Sequence, residues 1–328
     1  MAQSPDPITI FEHYYSKQII DVKVTIDMDS LLTESKKAVY VPGEMQIGTG
    51  DSITSWNVRM RQRGKTRRRL CDFPPLKLKF YDTELATSGF ATRDEFKVVT
   101  HCFEGEEGTC NLLKEYSAYK IYNELCPASF RVLLMRIEYH DSFGRREPMK
   151  RMAFLIENKK ELASRLGAKV KERYGMTRDS MDEKQFMFLS VFQYLIGNTD
   201  WAVPIKHNLL LIEPKGETKT LAIPYDFDFS GLVNAAYARP NPNLRQVSVT
   251  DRIFMAHSGD MEVLEQVLQR FKDVKDRIMA VCDENPVLNQ SQKEEMKLYL
   301  EGFYQQVRSP AKFRRKIIDR AIHFKHKI

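Results

Sequence analysis

Ile20, Val22, Val24 and Ile26 alternate with polar neighbours, and the same period of two recurs over Trp56–Met60 and Leu76–Phe80. That spacing predicts half-buried strands, because successive side chains on a strand point to opposite faces. Phe130–Tyr139 and Arg151–Glu157 are two further β-rich runs, and Asp141-Ser142-Phe143-Gly144 between them predicts a hairpin. Among these strands lies Asn111–Leu125, where Leu112, Glu115, Tyr119 and Tyr122 share one stripe at helical spacing. Cys126-Pro127 ends that helix, since proline cannot continue it and restricts the residue before it. Glu115 therefore sits within an apolar stripe and needs a partner, because a buried charge is costly unless paired.

The pattern then changes period. Ser180-Met181-Asp182-Glu183 reads as a capping box ahead of Phe186–Ile196, which is apolar nearly all round, and Gly197-Asn198 stops that helix. Leu209–Ile212 and Thr220–Pro224 read as two short strands around Pro214-Lys215-Gly216. Helices follow over Met261–Cys282 and Gln292–Val307, and a last one opens at Ser309-Pro310. A β-rich half containing one helix, followed by a helical half, is the layout of a two-lobed α+β enzyme. The expected seam lies near Glu157–Lys160, giving a β-rich lobe over 1–157 and a mainly helical lobe over 158–328.

Composition narrows the class. With 328 residues, 42% apolar and 29% charged, the chain can bury a sizeable core and is not a disordered composition. No run approaches the 18 apolar residues that span a bilayer. The net charge of +7 gathers in Arg59–Arg69 and in the C-terminal tail from Lys312 to Lys327, which favours polyanionic partners. For Arg59–Arg69 a solvated loop ranks first, a phosphate contact around Gly64 second and nucleic acid third, since only Trp56 stands near for stacking. The five cysteines show no CxxC pair, which argues against a structural zinc site. GxSxG, Walker and dinucleotide motifs are absent.

The densest chemistry lies between Asn198 and Gly231. A polar loop with Asp200 and Asn208 leads into a β-hairpin, and the hairpin returns to the acidic turn Asp226-Phe227-Asp228. Phosphoryl transfer needs such a set: one carboxylate to orient the nucleophile, and an Asn with a second Asp to hold Mg²⁺ against phosphate oxygens. Asp200 is thus the candidate base, Asn208 one metal ligand, and Asp226 or Asp228 the other. Lys77 and Lys79 point to one face of their strand, where a lysine could pair with Glu115 to hold nucleotide phosphates. His101 and His207 show no acid–base partner in the sequence.

These residues resemble a family. Asn198-Thr199-Asp200, Asn208 and Ile223–Asp228, with Arg63-Gly64 ahead of the Pro75–Phe80 strand, are similar to the CotH-type (spore-coat) atypical kinases. More closely, RGKTRRRLCDFPPLKLKF at 63–80, FKVVTHC at 96–102, KEYSAYKIYNEL at 114–125, IGNTDWAVPIKHN at 196–208 and IPYDFDFSGLVNAAYARP at 223–240 resemble a group of bacterial proteins related to that family. The resemblance covers roughly residues 56–240. It implies a two-lobed protein-kinase-like fold, an ATP-contacting lysine at Lys79 or Lys77, phosphate contacts at Arg63 and Gly64, and a catalytic Asp200. It also implies metal ligands at Asn208 and at Asp226 or Asp228, with ATP and Mg²⁺ as cofactors. It implies an exported protein with its leader removed before Ala2-Gln3, and with that a Cys71–Cys102 disulfide. One departure stands out: Asp200 and Asn208 lie eight positions apart, against five in a conventional kinase catalytic loop.

The function expected is an ATP- and Mg²⁺-dependent phosphotransferase acting on a protein or a small hydroxyl-bearing substrate. The alternatives are a non-catalytic, pseudokinase-like scaffold and a basic module that binds a polyanion.

Overall fold

The computed structural model describes residues 7–33, 39–48, 53–64, 67–255 and 260–315. The Ala2-Gln3 start, Lys65-Thr66 of the arginine run and the basic tail beyond Arg315 lie outside the described residues. The chain divides into two compact units, Met1–Leu112 with Arg131–Leu162, and Leu113–Phe130 with Ala163–Ile328.

The two-lobed protein-kinase-like fold expected from the sequence is overturned by the first unit, whose seven strands close into a barrel. The strands are β1 (Ile20–Ile26), β2 (Val41–Ile47), β3 (Thr54–Gln62), β4 (Leu76–Phe80), β5 (Glu95–Val99), β6 (Val132–Asp141) and β7 (Met149–Ile156). They run in the order β1-β2-β3-β4-β5-β7-β6, and a parallel ladder from Ile20↔Met135 to Ile26↔Asp141 brings β6 back to β1. All other neighbours are antiparallel.

The alternation read from the sequence supplies the barrel's filling. Val22, Val24, Ile26, Val58, Leu78 and Phe96 belong to one buried cluster, while their polar neighbours face outward. Local alternation fixes which face is apolar but not which strands pair, so closure was invisible to it. Two barrel strands are not legible in that alternation. In β2, Pro42 and Gly43 disguise the strand, yet Gly43 is required there: a Cβ on it would lie 2.7 Å from the Thr25 carbonyl of β1. Strand β5 was read only as part of a motif.

Cys71 and Cys102 form a disulfide within this unit, the pairing that the resemblance implied. Cys110, Cys126 and Cys282 are buried and take part in no disulfide among the described residues.

The second unit carries a three-stranded antiparallel sheet, β8 (Ala168–Val170), β9 (Leu209–Pro214) and β10 (Leu221–Pro224), in the order β10-β9-β8. Its central helix, Glu183–Leu195, is capped by Asp182, whose side chain accepts from the Gln185 N–H; Ser180, the expected cap, lies in a preceding 3₁₀ turn. Buried Gln185 then donates to the Ala222 carbonyl (2.5 Å) and accepts from the Ala222 N–H (3.0 Å). These bonds tie the helix to β10 and so set where the chain leaves the sheet toward Asp226. No described helix is long and apolar enough to cross a membrane.

Candidate functional site

The site belongs to the second unit and is built from three pieces: the helix segment carrying Glu115 and Tyr119, the loop Asn198–Asn208, and the turn Tyr225–Gly231. The loop starts where Gly197, at φ +66°, ends the central helix. Asn198 is buried, donates to the Gln193 side chain (3.0 Å) and accepts from the Asp200 N–H (2.9 Å). It therefore fixes the backbone at Asp200. Ala202 and His207 then form an antiparallel bridge, exchanging N–H···O bonds of 3.1 and 2.9 Å. The longer spacing between Asp200 and Asn208 is absorbed in this small hairpin.

The consequence is a fully engaged carboxylate. His207 Nε2 lies 2.7 Å from Asp200 Oδ1, and Asn208 Nδ2 donates to Asp200 Oδ2 at 2.9 Å and to its carbonyl at 2.8 Å. Asp200 and Asn208 thus meet directly, whereas the sequence expectation joined Asn208 to the acidic turn at a metal. His207, which the sequence gave no partner, is the residue that reading missed. Its signal was there only in three dimensions, since the bridge at Ala202 is what turns it back onto Asp200.

The acidic turn follows β10. The Tyr225 N–H donates to the Asn208 carbonyl (3.0 Å), so Asn208 adjoins the turn through its backbone. Phe227 is fully buried against Tyr119 and Phe192, with ring centroids 4.5 and 5.4 Å away. Burying Phe227 sends its two acidic neighbours in a common direction. The Asp226 N–H donates to Tyr119 Oη (2.8 Å), the Phe227 N–H to Glu115 Oε1 (3.4 Å), and Tyr237 Oη to Asp228 Oδ2 (3.0 Å). Carboxylate oxygens of Glu115, Asp226 and Asp228 all lie within 4.8 Å of one another, with Glu115 and Asp228 buried. Asn208 and Asp226 hold left-handed backbone conformations, φ +51° and +66°; such non-glycine residues store strain that surrounding structure must maintain.

Two glycines lock the turn's far end. The Gly231 N–H donates to the Gly197 carbonyl (3.1 Å), and a Cβ on Gly197 or Gly231 would stand 2.1 or 2.3 Å from Tyr299 Oη. That hydroxyl donates to the Thr250 carbonyl, so it is not free to swing away.

Three hard oxygen donors converging on one region match the ligand chemistry of Mg²⁺ or Ca²⁺. Whereas the sequence left Asp226 and Asp228 as rivals, the structure places both in the cluster and adds Glu115, which had been read as a lysine's partner. Lys77 and Lys79 belong to the barrel unit and meet carboxylates there, Lys77 with Glu95 and Lys79 with Asp94 (2.8 Å). Arg63 donates its N–H to the Pro75 carbonyl (2.8 Å), and Gly64, at φ +82°, turns the chain beyond β3. Lys97, in register with Lys77 on the same outward face, was not singled out in the sequence.

No family model matches the chain, so the CotH-type resemblance gains no support from that quarter, and no curated protein matches it. Among solved structures, the crystal structure of a Helicobacter pylori proinflammatory kinase, CtkA, is a distant neighbour: 14% identity and a TM-score of 0.41 over 74% of this chain and 91% of that one. A likeness that weak assigns neither fold nor activity.

Proposed function

We propose that the protein is a divalent-metal-dependent phosphotransferase, an atypical kinase that takes ATP and Mg²⁺. The observation that carries the reading is the convergence of Glu115, Asp226 and Asp228 within 4.8 Å, in the same unit as the engaged Asp200. Glu115, Asp226 and Asp228 would hold the cation. Asn208 would add its side-chain oxygen, since its amide nitrogen is committed to Asp200. When bound, such a cation neutralises charge on phosphate oxygens.

The chain's own groups do the rest. Asp200 orients the acceptor hydroxyl and takes its proton. His207 and Asn208 fix the two oxygens of Asp200, so the carboxylate meets the acceptor already placed rather than having to be ordered during the reaction. The acceptor is a protein or a small hydroxyl-bearing molecule. Lys77 or Lys79, with Arg63 and Gly64, enter the reading as candidates for nucleotide phosphates, each to be tested by substitution.

The test is the melting temperature with and without ATP and MgCl₂, in the native chain and in Asp226→Ala and Asp228→Ala. A ligand at about 100 times its Kd that binds only the folded form adds about 2.7 kcal/mol, which reads as a clear shift. A metal-dependent shift lost in these variants supports the reading. No shift at millimolar ATP and Mg²⁺ sinks it, and a shift without phosphate transfer would make the chain a nucleotide-binding scaffold.

A further inference from the structure

The barrel's outward face carries, beside the Lys77 and Lys79 already considered, two arginines to which the proposed chemistry gives no role. On the outward face of β3, Arg59 and Arg61 stand two residues apart, about 7 Å along the strand. Across the ladders they face Lys79 and Lys77, and Lys77 in turn faces Lys97. The two lysines of β4 are matched by Asp94 and Glu95. Neither arginine has an ion pair within 4 Å among the described residues, although Glu95 acts on Arg61 at longer range.

Both guanidiniums lie over tyrosine rings instead. The Arg59 guanidinium lies 4.6 Å from the Tyr81 ring centroid and 6.0 Å from that of Tyr40, and Arg61 lies 5.0 Å from Tyr40. Tyr40 is itself anchored, its hydroxyl donating to Glu95 Oε2 (2.5 Å). Among the described residues, Arg59 Nε is buried with no acceptor, and so are Nε and Nη2 of Arg63, just past the strand's end. A buried N–H left without an acceptor is costly. Two guanidinium forks about 7 Å apart suit oxyanions at the two ends of a triphosphate rather than on adjacent phosphates, and each can grip an oxyanion with two bonds.

We infer that Arg59 and Arg61, seated over the rings of Tyr40 and Tyr81, form a binding site for a short polyphosphate: the phosphate tail of a nucleotide, or a free inorganic chain. The site does not rest on the metal-dependent reading, because all of its residues belong to the barrel unit and its ligand needs no carboxylate.

The experiment is titration calorimetry of the full chain with sodium tripolyphosphate in metal-free buffer. The variants are Arg59→Gln, Arg61→Gln, Arg59→Lys and Asp228→Asn, with melting temperatures confirming that each is folded. Saturable binding that weakens roughly tenfold or more in either glutamine variant, falls in Arg59→Lys through loss of the fork, and is unchanged in Asp228→Asn supports the site. ATP binding more tightly than tripolyphosphate in the same buffer identifies a nucleotide, and equal affinity an inorganic chain. Absence of saturable binding, or binding indifferent to both glutamine variants, overturns the inference. So does tighter binding of an oligothymidylate through the same arginines, which would make the face a strand-binding surface. Asp228→Asn abolishing metal-dependent ATP binding while leaving tripolyphosphate binding intact separates the fate of this site from that of the carboxylate cluster.

Discussion

Each unit gathers three carboxylates, and the two gatherings are organised in opposite ways. In the barrel unit Glu12, Glu157 and Glu161 surround Arg131, at 2.5, 3.0 and 3.5 Å, with the guanidinium stacked 4.6 Å from the Tyr15 ring. Each carboxylate turns toward the resident arginine, and Thr9 adds a hydroxyl to Glu161 Oε1 (2.5 Å). In the other unit Glu115, Asp226 and Asp228 turn toward one another. A cluster built around an arginine is a brace, whereas carboxylates that share a point have the arrangement a cation ligand shell requires. The same residue type therefore reads as structural in one place and chemical in the other, and only the direction of convergence tells them apart.

The largest test of that contrast is Arg131→Ala. It takes the guanidinium away from the fully buried side chain of Glu157, and removal of one partner of a buried ion pair costs about 3–5 kcal/mol. Urea denaturation should show the loss, and a change below about 1 kcal/mol would mean that the brace is not one.

Next comes pH. Burial raises the Glu161 carboxyl to about 7, helped by the neighbouring charge of Glu157 and opposed by Thr9 and Arg131. The raised value means the folded state favours the protonated form. Stability from this group is therefore complete below about pH 4.5 and disappears as pH climbs through 7, by about 3 kcal/mol at most. Glu161→Gln should flatten that part of the stability–pH curve; an unchanged slope would locate the titration elsewhere.

The carboxylate turn should respond to metal where the brace does not. Saturating Mg²⁺ or Mn²⁺ should stabilise the native chain by about 2–3 kcal/mol, Asp228→Asn should abolish that gain, and Glu161→Gln should retain it. Metal stabilisation that survives in Asp228→Asn would place the ion at another site. Smallest of all is His207→Ala. The pair with Asp200 is half-exposed, so its loss should change stability by less than about 1 kcal/mol, while slowing any phosphate transfer by loosening Asp200.

What the sequence showed depended on how local the cause was. Period-two alternation located β1, β3 and β4, since each residue's facing is decided within its own strand, and β-rich composition around a turn located β6 and β7. The parallel closure of β6 on β1 joins positions 115 residues apart, Ile20 and Met135, and no local pattern encodes it. Within the site, Asp226 and Asp228 were legible as an acidic turn, and Glu115 as a carboxylate out of place on an apolar stripe. Their meeting was not, because it depends on where Phe227 finds room between Tyr119 and Phe192. His207 was dismissed because its partner reaches it only through the bridge at Ala202.

The parallel β1–β6 ladder also bears on how the chain is made. At 5–20 residues per second, the ribosome delivers Met135 on the order of ten seconds after Ile20. Until then β1 can pair only with β2, and its other edge stays unsatisfied, a template for any strand that passes. Long sequence separation also makes the closing step slow. Refolding of the barrel should be rate-limited by the arrival of β6, and a point mutation in that ladder, such as Ile137→Pro, should cause aggregation during synthesis rather than a milder loss in the finished protein.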